Sequence, residues 1–127
     1  MTAQKYRWIA LLYTVGFTAA SLQRGRPSGL HSSGFHAPLH LIAFIVFVIL
    51  AKLGFPRSPS LPWIALAGVL LGCLIEFTQH WESQEAVEWN DIAGDALGVA
   101  VGSLLCLLLP AFSRDGSRPV EPPERSA

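Results

Sequence analysis

Imidazole, carboxylate and carboxamide side chains recur at four-residue spacing in this chain. His36 and His40 form one pair, Glu76 and His80 another with Gln79 beside them, and Asp91 and Asp95 a third. Residues four apart on a helix share a face, so each pair would present its groups together. Mixed imidazole and carboxylate groups suit Zn²⁺ or a similar divalent ion, which makes a divalent metal the cofactor to consider. Such an ion could activate water. A plainer reading stands beside this one. Asp91 favours a helix N-terminus by capping and dipole, and His36 and His40 are tolerated near a polar interface. Asp95 fits the plain reading less well, because it lies a full turn deeper. Glu76 fits it least, since a carboxylate at the edge of an apolar run is costly and usually functional. Glu82, Glu85 and Glu88 read as a solvated loop or its short helical turn. The chain has no HExxH, no nucleophile elbow and no phosphate-binding glycine loop. Cys73 and Cys106 match no zinc spacing, and their depths along their helices differ too much for a disulfide.

The elements that position these residues are strongly apolar. Of 127 residues, 51% are hydrophobic and 14% charged, against about 25% charged in a usual soluble domain. No Asp, Glu, Lys or Arg occurs in residues 8–23, 27–51, 58–75 or 96–113. A soluble chain this short has too little interior to hide four helices that are apolar all round. An ordinary soluble enzyme is therefore excluded, and a zero net charge argues against nucleic acid as a partner. The expected fold is all-α: a multi-pass transmembrane helical bundle with four helices, its partner the lipid bilayer. The spans are expected at about 6–22, 38–55, 61–79 and 91–112, forming one domain over 1–112. Pro38 suits a first helical turn and Gly54-Phe55-Pro56 stops that helix. Ser60 can cap the third helix and Asn90 or Asp91 the fourth. Residues 113–127, rich in Pro, Ser and mixed charge, are expected to form a disordered cytoplasmic tail.

Orientation follows from the basic residues. With four spans, Lys5, Arg7, Lys52, Arg57, Arg114, Arg118 and Arg125 share one side, and only Arg24 and Arg26 lie on the other. The positive-inside rule then places both termini in the cytoplasm. The first span also admits reading as a signal peptide, which would leave the later spans in the same orientation. Every histidine (His31, His36, His40, His80) falls on the outer side, as do Glu76, Glu82, Glu85, Glu88, Asp91 and Asp95. The basic residues alone fix this sorting, so the gathering of His and acids is further information.

Small residues repeat on the same helices. Gly68 and Gly72 precede Glu76 at intervals of four, and Gly94, Gly98 and Gly102 follow the same interval. Such spacing lets membrane helices approach closely. The simplest packing stacks the glycines of the third helix on those of the fourth and lifts Glu76, Gln79 and Asp95 into a shared outer pocket.

With these motifs in order, the chain resembles the VanZ-like family of small bacterial membrane proteins over roughly 36–105. His40 fits the family histidine that opens one span. Glu76-Phe77-Thr78-Gln79 fits its Glu-x-x-Gln, and the segment from Asp91 through Gly94, Asp95 and Gly98 to Gly102 fits its final motif. The chain departs from the pattern at three places. His36 and Ala37 stand where an Asp-Lys pair is common, Asp95 stands for an Asn, and the loop before the last motif lacks a frequent Arg. The site is thus more acidic and richer in His than the family pattern. The family is named for a protein tied to teicoplanin resistance, so the resemblance implies an envelope context and the bacterial cytoplasmic membrane.

Two functions from different classes follow. The first is a non-enzymatic modulator or subunit of the cell envelope, with a polar site at the outer face. Its partners would be envelope lipids or other membrane proteins. The second is a metal-dependent membrane enzyme acting on a lipid-linked envelope intermediate.

Overall fold

The computed structural model describes residues 2–24, 36–56, 60–83 and 86–109. Among them are four helices and no strand: α1 (Ala3–Arg24), α2 (His36–Gly54), α3 (Leu61–Ser83) and α4 (Trp89–Leu108). The element count and order match the expectation, and the expected tail at 113–127 lies outside the described residues. Helix α3 continues a full turn beyond the expected end at Gln79, through His80 and Trp81. Helix α4 begins earlier than expected. Its N-cap is Glu88, which makes no side-chain cap bond, so neither Asn90 nor Asp91 caps it. Asp91 instead turns inward within the first turn and is buried.

By length and composition two helical stretches can cross a membrane, Leu61–Glu82 and Trp89–Leu108. Pro38–Gly54 is apolar but shorter. Helix α1 carries Gln4, Lys5, Arg7, Tyr13, Thr14 and Thr18, which dilute its apolar character. The expectation of four spans is therefore met on this measure by two helices.

Helix α2 sits between its neighbours. Its most extensive contact is with α4, followed by that with α1, while α3 packs chiefly on α4. Phe44, Val48, Ala51, Ile64, Ile75, Val99 and Cys106 form the buried core, with Phe17 and Phe47 against it. Phe17 and Phe44 meet edge to face with centroids 5.6 Å apart, a preferred geometry for aromatic pairs. All four helices also expose large apolar side chains, among them Leu12, Ile42, Leu70, Leu74, Leu104 and Leu107. Two threonine hydroxyls on these helices are satisfied locally: Thr14 donates to the Ala10 carbonyl at 2.8 Å and Thr78 to that of Leu74 at 2.7 Å.

The glycines decide how the helices meet, and they do not stack on one another. On α4, a Cβ at Gly98 would strike the Leu41 carbonyl and Phe44, and one at Gly102 would lie 3.0 Å from Val48 and 3.1 Å from the Ile45 carbonyl. These glycines therefore admit the backbone of α2. On α3, a Cβ at Gly68 would stand 2.7 Å from Val99, and one at Gly72 would stand 2.5 Å from an Asp95 carboxylate oxygen. The glycines of α3 thus receive side chains of α4. The expected glycine-on-glycine seam is replaced by two seams, because α4 spends its small face on α2, its principal partner. Gly94 is half-buried on α4. Both cysteines are free, as their depths require.

Candidate functional site

One end of the bundle collects the ends of α1 and α3 and the starts of α2 and α4. Every Asp and Glu whose side chain is described lies toward this end: Glu76, Glu82, Glu88, Asp91 and Asp95. Lys5, Arg7 and Lys52 lie at the other. There Arg7 donates to the Gly54 carbonyl at 2.8 Å and stacks over the Phe55 ring at 5.0 Å, while Lys52 donates to the Pro56 carbonyl at 3.2 Å. Arg7 thereby closes the start of α1 onto the end of α2, with a cation–π contact added to the hydrogen bond.

The site is built from one residue of α2, one of α3 and two of α4. His40, a turn into α2, is 3% exposed, and its Nδ1 lies 2.9 Å from an Asp95 oxygen. Asp95 is 1% exposed and rests in the space left by Gly72. A turn nearer the end of the bundle, Glu76 and Asp91 face each other, 3% and 7% exposed. Ligand atoms of His40, Glu76 and Asp91 all lie within 4.8 Å of one another. One oxygen of Glu76 and the second oxygen of Asp95 are buried without a hydrogen-bond partner. Burying ionised carboxylates is expensive unless charge or hydrogen bonds answer them.

The residues singled out from sequence thus divide. His40, Glu76, Asp91 and Asp95 come together. Gln79 stands beside them and donates to the Ser21 carbonyl at 2.8 Å, tying α3 to α1. His80 is exposed near the end of α3 and is not one of the three clustered ligand groups. His36 opens α2, but its side chain, like His31 and Glu85, lies outside the described residues. Glu76 was expected to meet Asp95 at one depth. It meets Asp91 instead, and Asp95 lies a turn deeper, because its carboxylate fits only where Gly72 leaves a gap.

Sequence spacing missed the contribution of α1. Phe17 turns its ring edge toward His40 at a centroid distance of 5.5 Å, and Tyr13 donates to the Ala43 carbonyl at 3.0 Å. Tyr13, Phe17, Ala20, Ser21, Leu39 and Ile42 line a mainly apolar cleft of about 210 Å³ between α1 and α2. The alternation of Tyr13, Phe17 and Ser21 at four-residue steps is the one feature that could have shown them to share a face.

Apolar all-helical packing, exposed apolar flanks and a buried imidazole–carboxylate cluster toward one end point to the class of small helical membrane proteins. Within that class the chain belongs to the VanZ/LLP1 family, whose family model matches residues 4–110. The match takes in α1 as well as the three helices carrying the motifs. Comparison with curated proteins and with solved structures finds no match.

Proposed function

We propose that this protein is a multi-pass membrane protein of the bacterial cell envelope, a non-enzymatic modulator or subunit with a ligand-holding polar site near its outer face. In this reading all four helices cross the bilayer and both termini are cytoplasmic. The observation that carries it is the partition of charge: described acidic side chains lie toward one end, and the described Lys and Arg side chains lie at the other. The cationic end, with Lys5, Arg7 and Lys52, is the one the positive-inside rule assigns to the cytoplasm. Exposed Trp8, Leu11, Leu12 and Val15 on α1 support counting that helix as a span despite its polar start. Membership of the VanZ/LLP1 family supports the envelope context. Lipid tails or another membrane protein would cover the apolar flanks.

A metal-dependent membrane enzyme is the second reading. The three buried ligand groups favour it, together with the apolar cleft that reaches Phe17 beside His40. A lipid-linked intermediate could lay its chain in that cleft with its polar group toward His40.

Topology is the first test. In a background with Cys73→Ala and Cys106→Ala, Glu82→Cys should react with a membrane-impermeant maleimide in intact cells. Ser117→Cys should react only after lysis. The reverse pattern would invert the protein and end the outward-facing reading.

A further inference from the structure

We propose that His40, Glu76 and Asp91 bind one divalent transition-metal ion, with Asp95 as the positioning residue that orients His40. This rests on the reading of the same polar site and names its ligand class.

Chemistry argues for it first. The three residues offer one imidazole nitrogen and two carboxylates, a set suited to Zn²⁺ and its neighbours. All three are more than nine-tenths buried. A buried pair of carboxylates needs a cation nearby, and among the described side chains each Lys and Arg stands at the opposite end of the bundle. An unpartnered Glu76 oxygen is already in place.

Geometry argues for it next. His40 commits Nδ1 to Asp95 at 2.9 Å, which leaves Nε2 as the nitrogen for a metal. A ligating histidine usually gives its other ring nitrogen to a carboxylate, which fixes the tautomer and the plane of the ring. Asp95 is fixed in turn by its seat at Gly72, where no side chain competes with it. Ligand atoms around an ion at Zn–N and Zn–O distances stand about 3.4 Å apart in a tetrahedron. The present spread of up to 4.8 Å must therefore contract by somewhat more than an ångström on binding. Three protein ligands leave a fourth position for water or a ligand oxygen.

The test uses the full chain in detergent, purified through a tag without histidine and stripped with EDTA. Co²⁺ is titrated while its visible ligand-field absorption is followed, and Zn²⁺ is added in competition. One equivalent of Co²⁺ should bind with an enhanced absorption band and be displaced by Zn²⁺. Glu76→Gln, Asp91→Asn and His40→Gln should each weaken binding at least 10-fold, while Glu82→Gln should leave it unchanged. Asp95→Asn should weaken it by about 10- to 100-fold and shift the band, the signature of a reoriented imidazole. Metal-free thermal unfolding of each variant controls for folding. Glu76→Gln removes a buried charge and should unfold no lower than the metal-free wild type, yet gain no stability from Co²⁺. Wild-type protein that binds no stoichiometric Co²⁺, or Glu76→Gln and Asp91→Asn variants that bind as wild type does, would overturn the proposal. An inverted topology in the labelling experiment would leave Co²⁺ binding intact, so the two readings fail separately.

Discussion

Asp95 occupies the place where Gly72 has no side chain: a Cβ at Gly72 would stand 2.5 Å from its carboxylate oxygen and 2.9 Å from its own Cβ. The contact joins the packing of α3 on α4 to the chemistry of the cluster, because the same carboxylate holds His40 through its other oxygen. Gly72→Ala should therefore destabilise the protein by about 1–3 kcal/mol, the usual cost of overpacking. Gly16→Ala faces open space and should be neutral or stabilising, since alanine is the better helix former by up to about 1 kcal/mol. Thermal unfolding in detergent followed by circular dichroism separates them. Equal midpoints for both variants would show that Gly72 is no seat.

The seam between α2 and α4 is tighter still. Gly98→Leu must displace the Leu41 carbonyl and the Phe44 side chain, neither of which is free to move. The variant should fail to accumulate as monodisperse protein, whereas Leu97→Ile, at an exposed position one residue away, should purify normally. Size-exclusion profiles and yields of the two proteins decide it. A well-behaved Gly98→Leu protein would refute the close approach of these helices.

His40 and Asp95 should be energetically coupled. Asp95→Ala leaves the buried Nδ1 of His40 without its acceptor, a loss of about 1–3 kcal/mol, while Asp95→Asn keeps an oxygen in place and should lose less. In a double-mutant cycle with His40→Ala, the pair should show a coupling of about 1 kcal/mol or more. Additive losses would mean that the 2.9 Å approach contributes nothing to stability.

Function should follow the cluster rather than the surrounding acids. Glu76→Gln should impair any envelope phenotype that deletion of the chain produces, and Glu82→Gln should not. Glu82 is exposed whereas Glu76 is buried, so the pair separates a built site from general negative charge. Equal behaviour at equal membrane abundance would remove Glu76 from the functional site.

The helices were legible because their marks are local. Pro38 and the Gly54-Phe55-Pro56 stop act on their own turns, and charge-free runs delimit the apolar segments. The grouping of His40, Glu76, Asp91 and Asp95 was legible from four-residue spacing joined to a common end. Register was not. Whether Glu76 meets Asp91 or Asp95 depends on which residue of α3 leaves a gap, and a repeat of Gly68 and Gly72 presents two equivalent gaps to a reader of spacing alone. The partner of α4's glycines was hidden for a similar reason: small residues announce a close approach but not what approaches. The wall contributed by α1 was missed because Tyr13, Phe17 and Ser21 lie in a segment that sequence could also assign to a signal peptide.

The repeat that obscured the register also gives it a mechanical meaning. Gly68, Gly72 and Glu76 on α3 face Val99, Asp95 and Asp91 on α4. The two helices therefore mesh like racks cut at one helical turn, about 5.4 Å. Sliding α3 by one notch so that Gly68 faced Asp95 would set the bulky, buried Ile64 opposite Val99, where Gly68 now leaves room. It would also carry Glu76 a turn past Asp91 and further from Asp95. His40 belongs to neither rack, since α2 is locked to α4 through Gly98 and Gly102. Ile64 and the approach of Glu76 to His40 thus act together as a stop that holds the teeth in one notch. An ion held by His40, Glu76 and Asp91 would pin that register further, since its ligands come from three helices.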